Sequence, residues 1–163
     1  MARVVVAVVL LSATVLPLAA GQNFLGRFFR AQPVAVTYDS YFAFTRIRYG
    51  TRVGSNCGWE HDYPAADRNF SAILDYISNI RVHLNDSNIL DLDDPRIFEN
   101  PVIYMSEPGC WTTDEAEAKN LRTYLLKGGF IIFDDFDGDW DWRNLATQMK
   151  VVLPEVPGGA GWR

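Results

Sequence analysis

Cysteine is scarce in this sequence. Its 163 residues include only Cys57 and Cys110, and neither forms a CxxC pair or has a histidine beside it. That spacing excludes the usual structural zinc sites, which take several closely spaced Cys and His ligands. Two alternatives stay open for the pair: a disulfide, if the protein is exported, or two separate and partly buried thiols.

Positive charge is also in short supply. The chain has 15 lysines and arginines against 20 aspartates and glutamates, which gives a net charge of −5. Because nucleic-acid binding depends on cationic side chains that neutralise phosphates, we expect no nucleic-acid partner. Hydrophobic residues make up 48% of the chain and charged residues 21%. This balance suits one globular domain with a core of its own.

Long hydrophobic runs are absent except at the N-terminus. A basic start at Arg3, an apolar run over 4–18 and small residues at 19–21 predict a secretory signal peptide over residues 1–21. The alternative is an uncleaved membrane anchor, but the run is shorter than the roughly 20 residues of a spanning helix. No cysteine lies at the cleavage site, which argues against lipidation there. We expect an exported protein, periplasmic or extracellular, with membrane contact only through an uncleaved signal.

The stretch from Thr112 to Trp142 organises the rest of the chain. Thr112 or Thr113 can cap a helix whose apolar residues recur at three-to-four spacing, and Gly128-Gly129 ends it. The wholly apolar run Phe130–Phe133 follows. A strand that is apolar on both faces is usually covered by helices on both sides, so the run predicts a central strand.

Five aspartates crowd the loop after that strand, at Asp134, Asp135, Asp137, Asp139 and Asp141. Carboxylates at such density hold a cation, share protons or point apart into water. The spacing of Asp135, Asp137 and Asp139 resembles a calcium loop, although the EF-hand glycine position and distal glutamate are missing. A divalent cation is therefore a candidate cofactor. The alternative is a set of solvated acids, with Asp139 or Asp141 capping the next helix.

Strands and helices alternate along the rest of the chain. Patterns predict strands at 38–49, 89–92, 101–105 and 151–153, a turn at 85–88, and helices at 67–84 and 142–150. For the last residues of the first helix, 81–84, a short strand is the alternative. The 67–84 helix has an apolar stripe from Phe70 to Ile80 that should face the core. This order predicts βαβ units and a mostly parallel sheet. We place one α/β domain at 38–154, a linker or edge segment at 22–37 and a loop-like tail at 155–163.

Several segments together resemble a known family. They are Phe44–Tyr49 (FTRIRY), Trp59–Pro64 (WEHDYP) with Asp67, Asn69 and Phe70, Leu92–Pro95 (LDDP), Ile103–Met105 (IYM) and Leu125–Asp135 (LLKGGFIIFDD). The combination resembles the bacterial domain-of-unknown-function family 4159 over nearly the whole chain after the signal. The resemblance implies a flavodoxin-like three-layer sandwich similar to class I glutamine amidotransferases, exported or membrane-tethered, with no established activity. Members usually continue past the point where this chain stops, which implies a C-terminal truncation.

The implied fold invites an amidotransferase hypothesis that the residues argue against. That chemistry needs a cysteine on a sharp Gly-x-Cys-x-Gly turn between strand and helix. Here Asp134-Asp135 follow the Phe130–Phe133 strand, and Cys110 follows another strand but lacks the second glycine. The amidotransferase nucleophile motif is therefore absent, and enzymatic activity is uncertain.

Two further loops carry candidate ligand-binding residues. Trp59, His61 and Asp62 lie after the first strand, and Glu107 lies after the 101–105 strand. In a parallel sheet both loops belong to the carboxyl edge, where Asp134 and Asp135 also lie, so all six side chains could line one crevice. The alternatives are that Trp59 packs over the sheet, that Asp62 caps a helix and that Glu107 is a solvent-exposed turn residue.

Two hypotheses of function follow. The first is a non-catalytic binding or assembly module of the cell envelope, whose partner is an envelope protein or a small ligand. The second is a carboxylate-dependent hydrolase, with or without a metal, in which Asp134 or Asp135 is the base or a metal ligand and His61 is the acid/base. An enzyme requires His61, Asp62, Glu107 and Asp134 or Asp135 to meet in one place. A binding module predicts dispersed acids and an apolar patch.

Overall fold

The structure is a computed structural model, and it describes residues 36–51 and 57–155. These residues belong to one compact unit. The predicted signal peptide at 1–21, nearly all of the 22–37 segment and nearly all of the 155–163 tail lie outside the described residues. In the part of the chain that the structure describes, no helix has the length and hydropathy needed to cross a bilayer.

The described chain contains six strands, three α-helices and two short 3₁₀ turns. In chain order they are β1 (Phe42–Arg48), β2 (Gly50–Thr51), α1 (Ala65–Ile77), β3 (Val82–Asp91), a 3₁₀ turn (Pro95–Glu99), β4 (Val102–Ser106), a 3₁₀ turn (Pro108–Cys110), β5 (Trp111–Thr112), α2 (Glu115–Leu126), β6 (Phe130–Asp134) and α3 (Asp139–Val152). The first 3₁₀ turn begins with a proline after the N-cap Asp94, a position that suits proline because its missing N–H needs no partner there.

The main sheet has four strands in the order β3-β1-β4-β6, and all three pairings are parallel. Strands β2 and β5 form a separate antiparallel pair. These pairings confirm the predicted α/β class with a mostly parallel sheet. Because the four strands run the same way, their carboxyl ends share one edge, and Ser106 of β4 lies in register with Asp134 of β6.

Helices cover both faces of this sheet. Side chains alternate across a strand, and on one face Phe44 of β1 packs against Phe70 of α1, with ring centroids 5.2 Å apart. On the other face Ile47 joins a buried cluster with Leu121 of α2 and Leu145 of α3. The arrangement is consistent with a three-layer α/β fold.

Strand β6 is not the central strand that its apolar run predicts. It lies at the end of the sheet order and, within residues 36–51 and 57–155, pairs only with β4. Phe130 is 60% exposed, and Ile131, Ile132 and Phe133 are half-buried. A short apolar run indicates that a strand is shielded from water, but it does not indicate which strands lie beside it. The prediction was therefore wrong about the position of β6 within the sheet.

The apolar stripe of α1 faces the sheet over only part of its length. Phe70 packs against Phe44 and Leu74 is half-buried, whereas Ile73 is 59% exposed. Tyr76 and Ile77 are exposed by 89% and 69% of their surface, whereas Asp67 and Ser71 are buried on the same helix. Amphipathic periodicity finds a polar face and an apolar face but assumes that the apolar face turns inward. Here the inward side of α1 is mixed, because Asp67 pairs with the buried Arg46 of the sheet while Phe70 packs against Phe44.

Strand β3 continues through the segment predicted as a turn. Phe42 pairs with Val82, but Phe44, only two residues on, pairs with Ser87. The extra residues of β3 form an irregularity in the ladder, and Leu84 to Asp86 are exposed there. The turn-forming residues at 85–88 therefore mark a bulge inside one strand and not a break between two.

Three predicted element ends shift. The N-cap of α2 is Asp114, which forms a capping box with Glu117, and neither Thr112 nor Thr113 has that role. Helix α3 begins after Gly138, so Asp139 and Asp141 lie in its first turn. The predicted strand at 151–153 is the end of this helix instead, because the helix continues through Val152.

Candidate functional site

The carboxyl ends of β4 and β6 carry the polar side chains nearest the sheet. The backbone N–H of Glu107 donates to the carbonyl of Asp134 at 3.0 Å. One strand position earlier, the Ser106 hydroxyl donates to Oδ2 of Asp135 at 2.8 Å. The two loops therefore leave the sheet side by side, and the pairing of β4 with β6 sets the distance between Glu107 and Asp135.

The loop after β1 brings a histidine to these carboxylates. Nδ1 of His61 lies 3.2 Å from Oε1 of Glu107 and 3.8 Å from Oδ2 of Asp135. The imidazole is 54% exposed, whereas Glu107 is 19% exposed. Glu107 is thus an inward-facing member of the site and not the solvent-exposed turn residue of the alternative hypothesis.

A buried arginine in the sheet binds the backbone of the loop that carries His61, which we call the histidine loop. The guanidinium of Arg46, in β1, donates to the carbonyls of Trp59 and His61 at 2.9 and 3.1 Å and pairs with Asp67 of α1. On the other side of the loop, the N–H of Gly58 donates to Oε2 of Glu107 at 2.6 Å. The loop is fixed through its backbone, which leaves the His61 ring at the surface of the site.

The two cysteines join the same two loops. Cys57 and Cys110 form a disulfide in the structure, with Cα atoms 6.2 Å apart. Cys57 immediately precedes Gly58, and the N–H of Cys110 donates to the carbonyl of Glu107 at 3.0 Å. The bond therefore ties the histidine loop to the turn after β4, and the Cys110 thiol is not free to act as a nucleophile.

Two buried tyrosines lie under the edge. The Tyr49 hydroxyl is 2.8 Å from the carbonyl oxygens of Ser106 and Glu107 and can donate its single proton to either. Burial, with a smaller contribution from the Glu107 charge, raises the pKa of Tyr49. Tyr104 donates to Oδ2 of Asp134 at 3.1 Å, and burial followed by the Asp134 charge raises the pKa of Tyr104 to about 12. Both phenols are neutral donors at physiological pH.

The predicted site residues divide into two sets. His61, Asp62, Glu107 and Asp135 come together, while Asp134 turns to Tyr104 and to the N–H of Asp135, 2.9 Å away. Trp59 packs against the core, and Asp137 and Asp139 are exposed. Asp141 accepts from the N–H of Asp137 at 2.6 Å. The acids late in this loop therefore lie apart from the histidine or fix the loop itself.

One group of three metal-ligating side chains occurs within residues 36–51 and 57–155: His61, Asp62 and Asp135, whose ligand atoms all lie within 4.8 Å of one another. It shares Asp135 with the calcium-like spacing but takes His61 and Asp62 in place of Asp137 and Asp139. Asp62 and Asp135 both have left-handed backbones, with φ of 56° and 60°, a conformation that only a few per cent of non-glycine residues adopt.

The sequence matches the family model described as Domain of unknown function (DUF4159) over residues 43–158, well over half of the chain. The chain belongs to the DUF4159 family. No curated protein matches the sequence. The site residues from Tyr49 to Asp141 all lie inside the matched segment, so the site is part of the DUF4159 domain itself.

The DUF4159 domain carries its site at a change of direction in the sheet. From β1 the chain passes to β3 on one side and then to β4 on the other. In open α/β sheets the crevice at such a switch point, outside the strand carboxyl ends, is the usual ligand position. The loops that carry His61 and Glu107 follow β1 and β4, the two strands that border this crevice.

Sequence reasoning missed Arg46, Tyr49 and Ser106. Each lies in or directly after a predicted strand. An alternating pattern assigns a polar residue such as Arg46 to solvent and treats Tyr49 only as an apolar residue of the strand. Arg46 and Ser106 are wholly buried, and Tyr49 is only 2% exposed. The available signal was their position at the carboxyl ends of predicted parallel strands, close to the loops already chosen as candidates.

Proposed function

We propose that this DUF4159 domain is a binding module that holds a divalent cation at the crevice between β1 and β4. The observation that carries the proposal is the convergence of His61, Asp62 and Asp135, with ligand atoms within 4.8 Å of one another. An imidazole with two carboxylates is a mixed nitrogen and oxygen donor set, which suits zinc or manganese better than the all-oxygen preference of calcium.

Electrostatics supports a cation as the ligand. Glu107 and Asp135 both face Nδ1 of His61, at 3.2 and 3.8 Å. Asp62 brings a third carboxylate to the same ring. A bound divalent ion, which takes a neutral imidazole as a ligand, would place two positive charges where these carboxylates meet. The rival account is a protonated His61 that balances the carboxylates without any ion.

We infer that the domain is of the flavodoxin-like type that the family resemblance implies. The four main strands, numbered by their order in the chain, lie in the order 2-1-3-4, which agrees with the first four positions of the flavodoxin-like order. We further infer export to the cell envelope from the signal-peptide pattern at 1–21. The cation site would then serve a binding or assembly role outside the cytoplasm.

Thermal unfolding with and without calcium, magnesium, manganese and zinc tests the cation site. An ion at a hundred times its dissociation constant adds about 2.7 kcal/mol to the free energy of unfolding. The gain should disappear in Asp135→Asn, which keeps the side-chain shape and tolerates the left-handed backbone. It should persist in Asp137→Asn, the matched control from the same loop.

Each outcome of that comparison decides something. Loss of the gain in Asp137→Asn would move the ligands to the calcium-like set of Asp135, Asp137 and Asp139. No gain with any of the four ions would overturn the proposal and leave the protonated His61 as the account of the cluster.

Hydrolysis is a second candidate, and one observation favours it. A neutral His61 that donates its Nδ1–H to Glu107, 3.2 Å away, keeps Nε2 as a proton acceptor, which is the arrangement of a general base. The half-exposed ring leaves this base open to water and substrate. The convergence that we require of an enzyme is therefore met by His61, Asp62, Glu107 and Asp135.

A panel of chromogenic esters, phosphoesters and glycosides, with manganese or zinc present, tests this candidate. Loss of a general base lowers turnover by about 10²–10⁴-fold, so His61→Gln should remove activity and Glu107→Gln should weaken it. If both variants were as active as the wild-type protein, the activity would come from a contaminant. No turnover by the wild-type protein leaves the binding module as the function.

A further inference from the structure

We propose that the Cys57–Cys110 disulfide makes the cation site redox-dependent, so that reduction of the bond lowers the affinity for the ion. The inference rests on the proposed cation site. It concerns the regulation of that site and names the group that controls it. Neither cysteine is a ligand in this proposal.

The disulfide closes one side of the site. Its two sulfurs belong to segments 53 residues apart in the sequence. One segment continues directly into Gly58 and the loop that carries His61 and Asp62, and the other contains Glu107. Two further contacts span the same gap, from the Gly58 N–H to Glu107 and from His61 to Glu107. The contact of Gly58 lies directly beside the disulfide, because Gly58 follows Cys57 in the chain.

The opposite side of the loop has its own support, which is independent of the disulfide. The guanidinium of Arg46 binds the carbonyls of Trp59 and His61 and is itself fixed by Asp67. Reduction therefore should leave the sheet and the far side of the loop in place. It should release the near side, where Gly58 meets Glu107, and so widen the distribution of distances between His61 or Asp62 and Asp135.

The chemistry requires a reductant, which we take to be a dithiol. One thiolate of the dithiol attacks a sulfur of the protein disulfide and forms a mixed disulfide. Its second thiolate then displaces the protein sulfur, so that the dithiol becomes a disulfide while both protein cysteines take up protons as thiols. Cys57 is half-buried, whereas Cys110 is 8% exposed, so we expect the attack at Cys57, the more exposed of the two residues.

The test measures manganese affinity by the electron paramagnetic resonance signal of free Mn²⁺. Oxidised wild-type protein, reduced wild-type protein and the double variant Cys57→Ser/Cys110→Ser are compared. We expect affinity to fall roughly tenfold on reduction and in the double variant, the size of coupling common between linked sites. Adding the reductant to the double variant is the control, and it should change nothing.

The outcomes separate the two proposals. If oxidised wild-type protein binds no Mn²⁺, the cation site fails, and the switch fails with it. If oxidised and reduced proteins bind Mn²⁺ equally, the cation site stands and the switch is overturned. Tighter binding after reduction would mean that the freed thiols are ligands, which also overturns it.

Hydrogen exchange gives a readout that needs no metal. Reduction should accelerate exchange at the Gly58 amide, whose acceptor is Glu107, and leave the amides of β4 unchanged. Unchanged exchange at Gly58 would overturn the proposal. Global unfolding on reduction would overturn it as well, since the bond would then support the whole domain and not the site.

Discussion

Arg46 and Asp67 form an ion pair that is almost wholly buried, with the Arg46 guanidinium 2.6 Å from Oδ1 of Asp67 and side-chain exposures of 0% and 2%. The pair joins β1 to α1, and the same guanidinium holds the backbone of the loop that carries His61. Burying two charges is costly unless both are paired and fully hydrogen-bonded. This need accounts for the inward position of Asp67 on α1.

Removing the acid should therefore destabilise the domain strongly. Asp67→Ala leaves the Arg46 guanidinium buried without its partner, and we expect a loss of about 3–5 kcal/mol in the free energy of unfolding. Chemical denaturation measures it. Asp75→Ala, at an exposed position of the same helix, is the control and should change stability by less than about 0.5 kcal/mol. A similar small loss in Asp67→Ala would contradict the structural role of the pair.

The exposed end of the apolar stripe of α1 makes an opposite prediction. Ile77 is 69% exposed, whereas Leu121 of α2 is wholly buried. We expect Ile77→Ser to cost no more than about 0.5–1 kcal/mol, from helix propensity and a little lost contact. Leu121→Ala should cost about 2–5 kcal/mol, because it leaves a cavity in the core. Equal losses in the two variants, measured by denaturant titration, would mean that the stripe is buried in solution.

The parallel sheet, and the presence of polar candidate residues at its carboxyl edge, could be predicted from the sequence because both follow from local patterns. Alternating strands and helices fix the direction of the strands, and direction alone assigns Glu107, Asp134 and Asp135 to the same edge. The position of each strand within the sheet could not be read in this way. The apolar run of β6 reports only burial, and the edge place of β6 depends on pairings with residues far away in the sequence.

The buried polar contacts were harder to predict for a similar reason. Arg46 and Asp67 are separated by 21 residues, and nothing local distinguishes this arginine from an exposed one in a strand. The choice of Asp135 over Asp134 as the partner of the His61 cluster depends on which side chain of an adjacent pair turns toward the loop. Tyr104 binds Asp134 and Ser106 binds Asp135, so the choice is a tertiary effect.

Tyr104 predicts a pH dependence at the alkaline end. Burial, followed by the Asp134 charge, raises the pKa of Tyr104 from 10.0 to about 12 in the folded protein. The folded state therefore holds the phenol proton of Tyr104 more tightly than the unfolded state does. The stability that results is fully present below about pH 10 and is lost as the pH rises toward 12. In Tyr104→Phe the free energy of unfolding should fall less steeply in this window, by up to about 1.4 kcal/mol per pH unit.

The comparison with wild type at neutral pH isolates this contribution. There the variant should differ only by a constant offset for the lost hydrogen bond to Asp134, about 0.5–1.5 kcal/mol and up to twice that for a charged acceptor. Denaturant titrations at several pH values give both quantities. If the free energy of unfolding of the variant and of wild type ran parallel from neutral to alkaline pH, the ionisation of Tyr104 would not be coupled to folding.

Gly109, in the turn after β4, packs closely against the first turn of α3. A Cβ atom at this position would overlap the side chain of Asp141, whose carboxylate accepts from the N–H of Asp137. The turn is also held by Asn144, whose amide donates to the carbonyls of Pro108 and Trp111 at 2.8 Å. Gly109→Ala should therefore cost about 1–3 kcal/mol, as overpacking usually does.

A double-mutant cycle assigns this loss to the contact with Asp141. In an Asp141→Gly background the clash is gone, so the further change Gly109→Ala should cost much less than in wild type, with a coupling energy of about 0.5–3 kcal/mol. Additive losses would place the strain elsewhere. Glu107 lies two residues before this glycine and Cys110 directly after it. The same cycle run on manganese affinity would therefore show whether the α3 contact sets the geometry of the site, as the structure leads us to expect.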